Sequence, residues 1–179
     1  MILTDRLRLR GWRDSDRDAF AELNADPEVS RDLGGPLKRA ASDAKLDRYM
    51  ATFEQVGFCR WLVEDEDEQF LGYAGVMPSR PGHPLGPHFD IGWRLIRPAW
   101  GQGYATEAAK GSLRDAFERV HLEQVLAYTS ADNARSQAVI MQLNMQRAPS
   151  LDYSEPVGKG TWRGLVWIAR PRDGLVNQT

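Results

Sequence analysis

Between residues 89 and 120 the hydrophobic period of the chain switches from about two to about 3.6, and the switch falls on a turn with glycines at 101 and 103. Phe89 to Ile96 reads as a strand. From about Gly103 to Val120, Ala105, Ala109, Leu113, Ala116, Phe117 and Val120 recur at helical spacing and give one apolar face. A strand that passes into an amphipathic helix through so short a turn must let the helix pack back on the sheet, which restricts the chain to layered α/β folds. The glycines have a second consequence. Positions without side chains at a helix N-terminus let backbone N–H groups approach an anion, and the helix dipole favours its charge. The same glycines would also serve a plain tight turn, so the motif alone leaves both uses open.

The rest of the chain fits such a layered fold. Ile2 to Trp12 alternates well enough to be a half-buried strand, with a register break near Asp5. Ser15 or Asp16 can cap a helix carrying Ala19, Phe20 and Leu23, which Asp26-Pro27 ends. Glu28 to Ala41 reads as irregular, and Ser42 opens a second helical pattern that closes before Gly57. Phe58 to Glu64 and Gln69 to Met77 read as a hairpin around a solvated acidic turn, and Pro78 to Pro87 as a loop or lid. Glu123 to Ser130 is a strand and Asn133 to Asn144 a helix. Gln146 to Tyr153 and Thr161 to Arg170 suit a last hairpin with Gly158 and Gly160 in its loop. The order β-α-α-β-β-β-α-β-α-β-β is a mixed α/β arrangement whose first half is mostly antiparallel. No repeat or linker divides it, so residues 1 to 179 are expected to form one domain.

Composition narrows the function. The 179 residues are 42% apolar with a net charge of −2, which offers no bulk attraction for nucleic acid or an anionic membrane. One cysteine, Cys59, allows no internal disulfide. With neither an apolar leader nor a spanning segment in the sequence, a cytoplasmic protein is expected. Asn177-Gln178-Thr179 matches a glycosylation triplet by chance in such a setting. His83 and His88 flank the proline-rich loop, His121 ends a helix, and no metal site is indicated. Trp61, Trp93, Trp162 and Trp167 lie in strands and suit the core, as does Cys59.

Two common nucleotide motifs fail at the glycine turn. A dinucleotide fingerprint needs glycine or alanine where Thr106 stands, and a P-loop needs lysine after its last glycine, where this chain has Tyr104. The stretch "IGWRLIRPAWGQGYATEA", followed by "SADNARSQAVIMQLNM", resembles the GNAT acetyltransferases, in particular the ribosomal-protein N-acetyltransferase-like (RimJ/RimL-type) branch. The opening "LTDRLRLRGWRDSD" and the later "NADPEV" are similar to the same branch.

The resemblance implies a GNAT fold, a mostly antiparallel twisted sheet of six or seven strands with four helices and a splayed central parallel pair. It implies acetyl-CoA as cosubstrate, with the pyrophosphate on the turn of Gly101, Gln102, Gly103, Tyr104, Ala105 and Thr106 and the pantetheine beside Trp93, Arg94, Leu95 and Ile96. Asn133 and Ser136 match residues that contact pantetheine and sulfur, with Ser136 as general acid. A backbone N–H of the strand Trp93 to Ile96 would serve the thioester carbonyl. Asp90 takes the place of the acidic residue expected as base, while Glu107 suits the helix dipole instead. Two departures stand out. Pro98 occupies the place where the family usually has Gln or Arg, and Leu143-Asn144-Met145 replaces Leu-Gly-Phe at a helix end, where Asn suits a left-handed residue. The expected reaction is direct acetyl transfer in a ternary complex, first to a protein N-terminal α-amine. The alternatives are a small-molecule amine (polyamine, amino acid or aminoglycoside) and a non-catalytic acyl-CoA-binding regulator. A monomer or homodimer is expected.

Overall fold

In the computed structural model, residues 1–31, 34–157 and 160–171 are described. The glycosylation-like triplet and Gly158 lie outside them. The N-terminal run is two strands rather than one. β1 (Ile2–Leu3) folds back on β2 (Leu7–Arg10) with Ile2 opposite Leu9, and the expected register break is the turn between them, closed by Thr4 N–H to the Leu7 carbonyl at 3.0 Å. α1 (Arg17–Ala25) stops at Asp26, held extended ahead of Pro27. The Asp26 side chain then caps a short α2 (Pro27–Ser30), so part of the stretch read as irregular is helical. α3 (Arg39–Val56) begins ahead of Ser42 and ends on Gly57 at φ +79°.

β3 (Arg60–Asp65) and β4 (Phe70–Pro78) form the expected hairpin. Its acidic turn is more than solvated charge, because Asp65 Oδ1 accepts from the N–H groups of Asp67 and Gln69. β5 (Phe89–Leu95), α4 (Tyr104–Glu118), β6 (Val125–Thr129) and α5 (Ala134–Gln142) follow. Asn144 takes φ +52° after α5, as its place in the helix end requires. A 3-10 turn at Pro149–Leu151 then divides the next strand into β7 (Gln146–Arg147) and β8 (Tyr153–Val157), both paired to β9 (Gly160–Ala169). These divisions bring the described sheet to nine strands, and α2 adds a helix to the four expected.

The sheet runs β1-β2-β3-β4-β5-β6-β9-β7, with β8 on β9. Its neighbours are antiparallel except β5 and β6, which share one paired position, Asp90 with Leu126, and then separate. Each face carries its own core. Ala74 and Val76 point into a cluster with Leu113 and Phe117 of α4 and Ile140 of α5. Their neighbours Tyr73 and Met77 point the other way, into a cluster with Phe20 and Leu23 of α1 and Leu46 and Tyr49 of α3. Full burial of side chains such as Leu113 and Leu46 stabilises the layers by roughly 1.5–3 kcal/mol each. Among the described residues no helix is long and apolar enough to cross a membrane.

Candidate active site

Beside β5, where it parts from β6, a cleft of about 330 Å³ lies between that strand, the glycine turn and α5. Trp93, Arg94 and Leu95 line it from β5, Gly101, Gly103, Tyr104, Ala105 and Thr106 from the turn, and Asn133 and Ser136 from α5. Ile96 packs into the two cores instead, and Gln102 donates its amide to the Pro98 carbonyl at 2.8 Å.

The turn suits an anion. Gly101 and Gly103 have φ of +74° and +81°, a region that side chains other than glycine rarely adopt. No side chain caps α4, whereas α2 is capped by Asp26 and α5 by Asn133. Among the described residues, the N–H groups of Gly103, Tyr104, Ala105 and Thr106 therefore donate to no protein acceptor and face the cleft. Unpaired N–H groups at a helix N-terminus are the arrangement that receives an anion.

A cation stands beside that turn, but Arg97 does not supply it. Arg97 donates to Asp26 Oδ2 at 2.8 Å and faces the N-terminus of α2. Arg6, from the β1–β2 turn, bonds the Gln102 carbonyl at 3.1 Å, stacks over the Tyr104 ring at 4.6 Å and pairs with Glu107. Sequence reasoning missed Arg6, which lies far along the chain from the motif it supports. Glu107 accepts from the Thr4 hydroxyl, the Arg6 N–H and the Arg6 guanidinium. Burial raises its pKa, and these three donors together outweigh burial and hold it below the usual carboxylate value. Glu107 thus braces the turn from behind.

At the start of α5, Asn133 Oδ1 accepts the Ser136 N–H at 3.0 Å, so Asn133 is the helix cap. That bond holds Ser136 half-buried on the cleft wall, with its hydroxyl in no hydrogen bond to a described residue. Arg135 closes the same end of the cleft with its guanidinium 3.9 Å from the centre of the Trp100 ring.

On the other side of β5 a second cleft, of about 520 Å³, contains Asp90. Its carboxylate is buried against the Arg60 guanidinium, which also donates to the Asp90 carbonyl at 2.7 Å and to the Gly75 carbonyl. Gly92 makes this possible, since a Cβ there would lie 3.0 Å from Arg60 Nη2. The opposite wall is aromatic. Tyr128, Tyr153 and Trp162 pack edge to ring with centroids 5.5–6.5 Å apart. Burial and the Asp90 charge push the Tyr128 phenol up, so it stays a neutral donor.

His83, at the proline-rich loop, belongs to this wall and is buried. Leu85 N–H donates to its Nδ1 at 3.2 Å, which leaves Nε2–H to face the Tyr153 hydroxyl at 3.1 Å. Burial, then the nearby His88 and Arg80, keep its pKa below the ordinary value. Of the four tryptophans read as core, Trp61 and Trp167 are buried there, whereas Trp93 and Trp162 line the two clefts. Cys59 is fully buried, and burial pushes its thiol up to about 12, so it is inert.

The splayed parallel pair is thus flanked by two clefts, one of them floored by an uncapped glycine turn. Residues 6–146 match the acetyltransferase (GNAT) domain, and the chain belongs to that family of N-acetyltransferases. It is similar to an acetyltransferase from Agrobacterium tumefaciens, with TM-score 0.80, 27% identity, and 94% of this chain and 93% of that one covered. Its fold is also that of the spermidine N-acetyltransferase of Vibrio cholerae, solved with CoA and spermine (TM-score 0.76, 14% identity, 94% and 98% covered). The ribosomal alpha-N-protein acetyltransferase RimL shares it as well (TM-score 0.74, 14% identity, 95% of each chain covered).

Proposed function

We propose that the chain transfers the acetyl group of acetyl-CoA to an α-amine, with a protein or peptide N-terminus as acceptor. The observation that carries this acceptor class is the charge of the second cleft. Its charged lining residues are Arg48, Arg60, Arg80, Asp90 and Glu155, and both carboxylates are already paired, Asp90 with Arg60 and Glu155 with Arg80. Arg48 leaves the lining net positive. A polyamine or aminoglycoside would bring further ammonium groups against that charge, whereas an α-amine followed by neutral or acidic groups would not. An α-amine also sheds its proton at about pH 8, far more easily than a lysine at about 10.4.

Acetyl-CoA supplies the thioester. The uncapped N–H groups of Gly103 to Thr106 hold its pyrophosphate, and β5, unpaired toward β6 beyond Asp90, offers backbone N–H groups along the acyl arm. Asp90, paired with Arg60, fixes the floor of the second cleft where the amine enters. As the C–N bond forms and the C–S bond breaks, Ser136 passes its proton to the departing thiolate and is restored by the proton the nitrogen sheds on becoming an amide.

CoA is expected to raise the melting temperature, and free thiol should appear with α-amine peptides but not with spermidine. Stabilisation by CoA without thiol release from any amine would favour a binding module; release with spermidine or free amino acids alone would favour a small-molecule enzyme. Ser136→Ala should lower kcat by about 100-fold while the CoA-induced melting shift is retained. An unchanged kcat removes Ser136 as the acid.

A further inference from the structure

Behind the acceptor cleft, on the face of the sheet covered by α1 and α3, lies a polar cluster with no part in the chemistry above. Lys45 Nζ donates to the Tyr73 hydroxyl oxygen at 3.0 Å and to Asn24 Oδ1 at 3.2 Å, and Arg94 Nη1 donates to the same Oδ1 at 2.7 Å. Asn24, Tyr73 and Arg94 are all buried, and Arg94 Nε has no partner. Two cations thus share one neutral oxygen, and among the described residues neither pairs with a carboxylate. Such an arrangement is costly unless something nearby carries negative charge. Tyr73 is the group placed to do so. Burial raises its phenol, and the charges of Arg94 and Lys45 overcome burial and bring it down to about 7.

Tyr49 connects this cluster to the cleft. It follows Lys45 by one turn of α3, its ring centroid is 5.6 Å from that of Tyr73, and it lines the acceptor cleft. Burial holds its own phenol well above the ordinary value, so it is a neutral hydroxyl. The charged groups facing the two rings are Lys45 and Arg48 of α3, Arg60 of β3 and Arg94 of β5, all cationic.

We infer that Tyr49 and Tyr73 form a proton relay that takes the proton of the acceptor ammonium out of the cleft to a Tyr73 phenolate. The ammonium N–H bond breaks, the Tyr49 oxygen takes that proton and its own proton passes to Tyr73. The sum is ammonium plus phenolate giving amine plus phenol. Asp90 Oδ2 is occupied by Arg60. Tyr49 touches the acceptor; Tyr73 and Lys45 act through it as positioning residues.

The relay rests on the proposed α-amine acceptor, so its test has an arm that needs none. Ultraviolet titration of the intact protein should show one tyrosinate forming near pH 7, absent in Tyr73→Phe and displaced upward in Lys45→Met. Tyr49→Phe should keep a Tyr73 titration below the ordinary value, moved upward by the loss of the Tyr49 hydroxyl, and keep the CoA melting shift, but lose about 100-fold in kcat at neutral pH. If no tyrosine ionises before its ordinary value of about 10, the relay is overturned whatever the amine proves to be. Wild-type kcat with an unchanged pH profile in Tyr49→Phe overturns it too. Absence of transfer to any peptide by the wild-type protein would instead overturn the acceptor class, and the titration would still decide the ionisation of Tyr73.

Discussion

Asp90→Ala is expected to lose about 3–5 kcal/mol of stability, because it leaves the buried Arg60 guanidinium without its carboxylate. Arg60 has nowhere else to turn. It lies across Gly75 and Gly92, packed among backbone carbonyls, and the burial of both partners prevents water from replacing the lost charge. Chemical denaturation at neutral pH would read the loss directly. The double variant Arg60→Met with Asp90→Leu should recover most of it, since removing both charges avoids the unpaired state. A loss below about 1 kcal/mol in Asp90→Ala would mean that the guanidinium rehydrates and that the pair does not fix the cleft floor. Asp90→Asn should lose part of the same stability, because Arg60 keeps a hydrogen-bond acceptor but not its counter-charge. It also makes the cleft lining more positive, so KM for the peptide should rise more than kcat falls.

The second large effect is expected at Gly103. Valine there must adopt φ near +81°, which costs about 1–2 kcal/mol for a residue with a Cβ and more for a β-branched one. The turn can relieve the strain by rotating its peptide groups, and those groups carry the N–H donors that face the cleft. The new side chain would also meet Arg6, whose Nη2 lies 3.5 Å from the Cβ position. CoA affinity should therefore fall by about 100-fold or more, seen as loss of the CoA-induced melting shift, while the melting temperature without CoA changes by only a few degrees. A retained CoA shift would place the pyrophosphate elsewhere.

Much of this site was legible in the chain. The glycine spacing, the strand before it and the helix after it lie within one continuous stretch, and local sequence encodes local geometry through φ preference and periodicity. Asn133 and Ser136 were legible for the same reason, as a cap and the third residue of a first turn. Asn144 in place of glycine was read from the one demand of a left-handed helix end. The N-terminal hairpin was read as a single strand, because alternation continues on both sides of Asp5 and the turn between carries no glycine. Pro149 interrupts the late strand run in a way that alternation alone does not separate from a bulge.

What the sequence by itself determined is the order of elements from β3 to α5, the glycine turn and the family, since each depends on residues close together in the chain. Only the tertiary structure decided what surrounds them. It brought Arg6 to the turn, Arg60 to Asp90, His83 to Tyr153, and Lys45 and Arg94 to Tyr73, across sheet registers and between layers. Charge and burial act through space, so the chemistry of a carboxylate or a phenol is set by neighbours that chain order does not reveal.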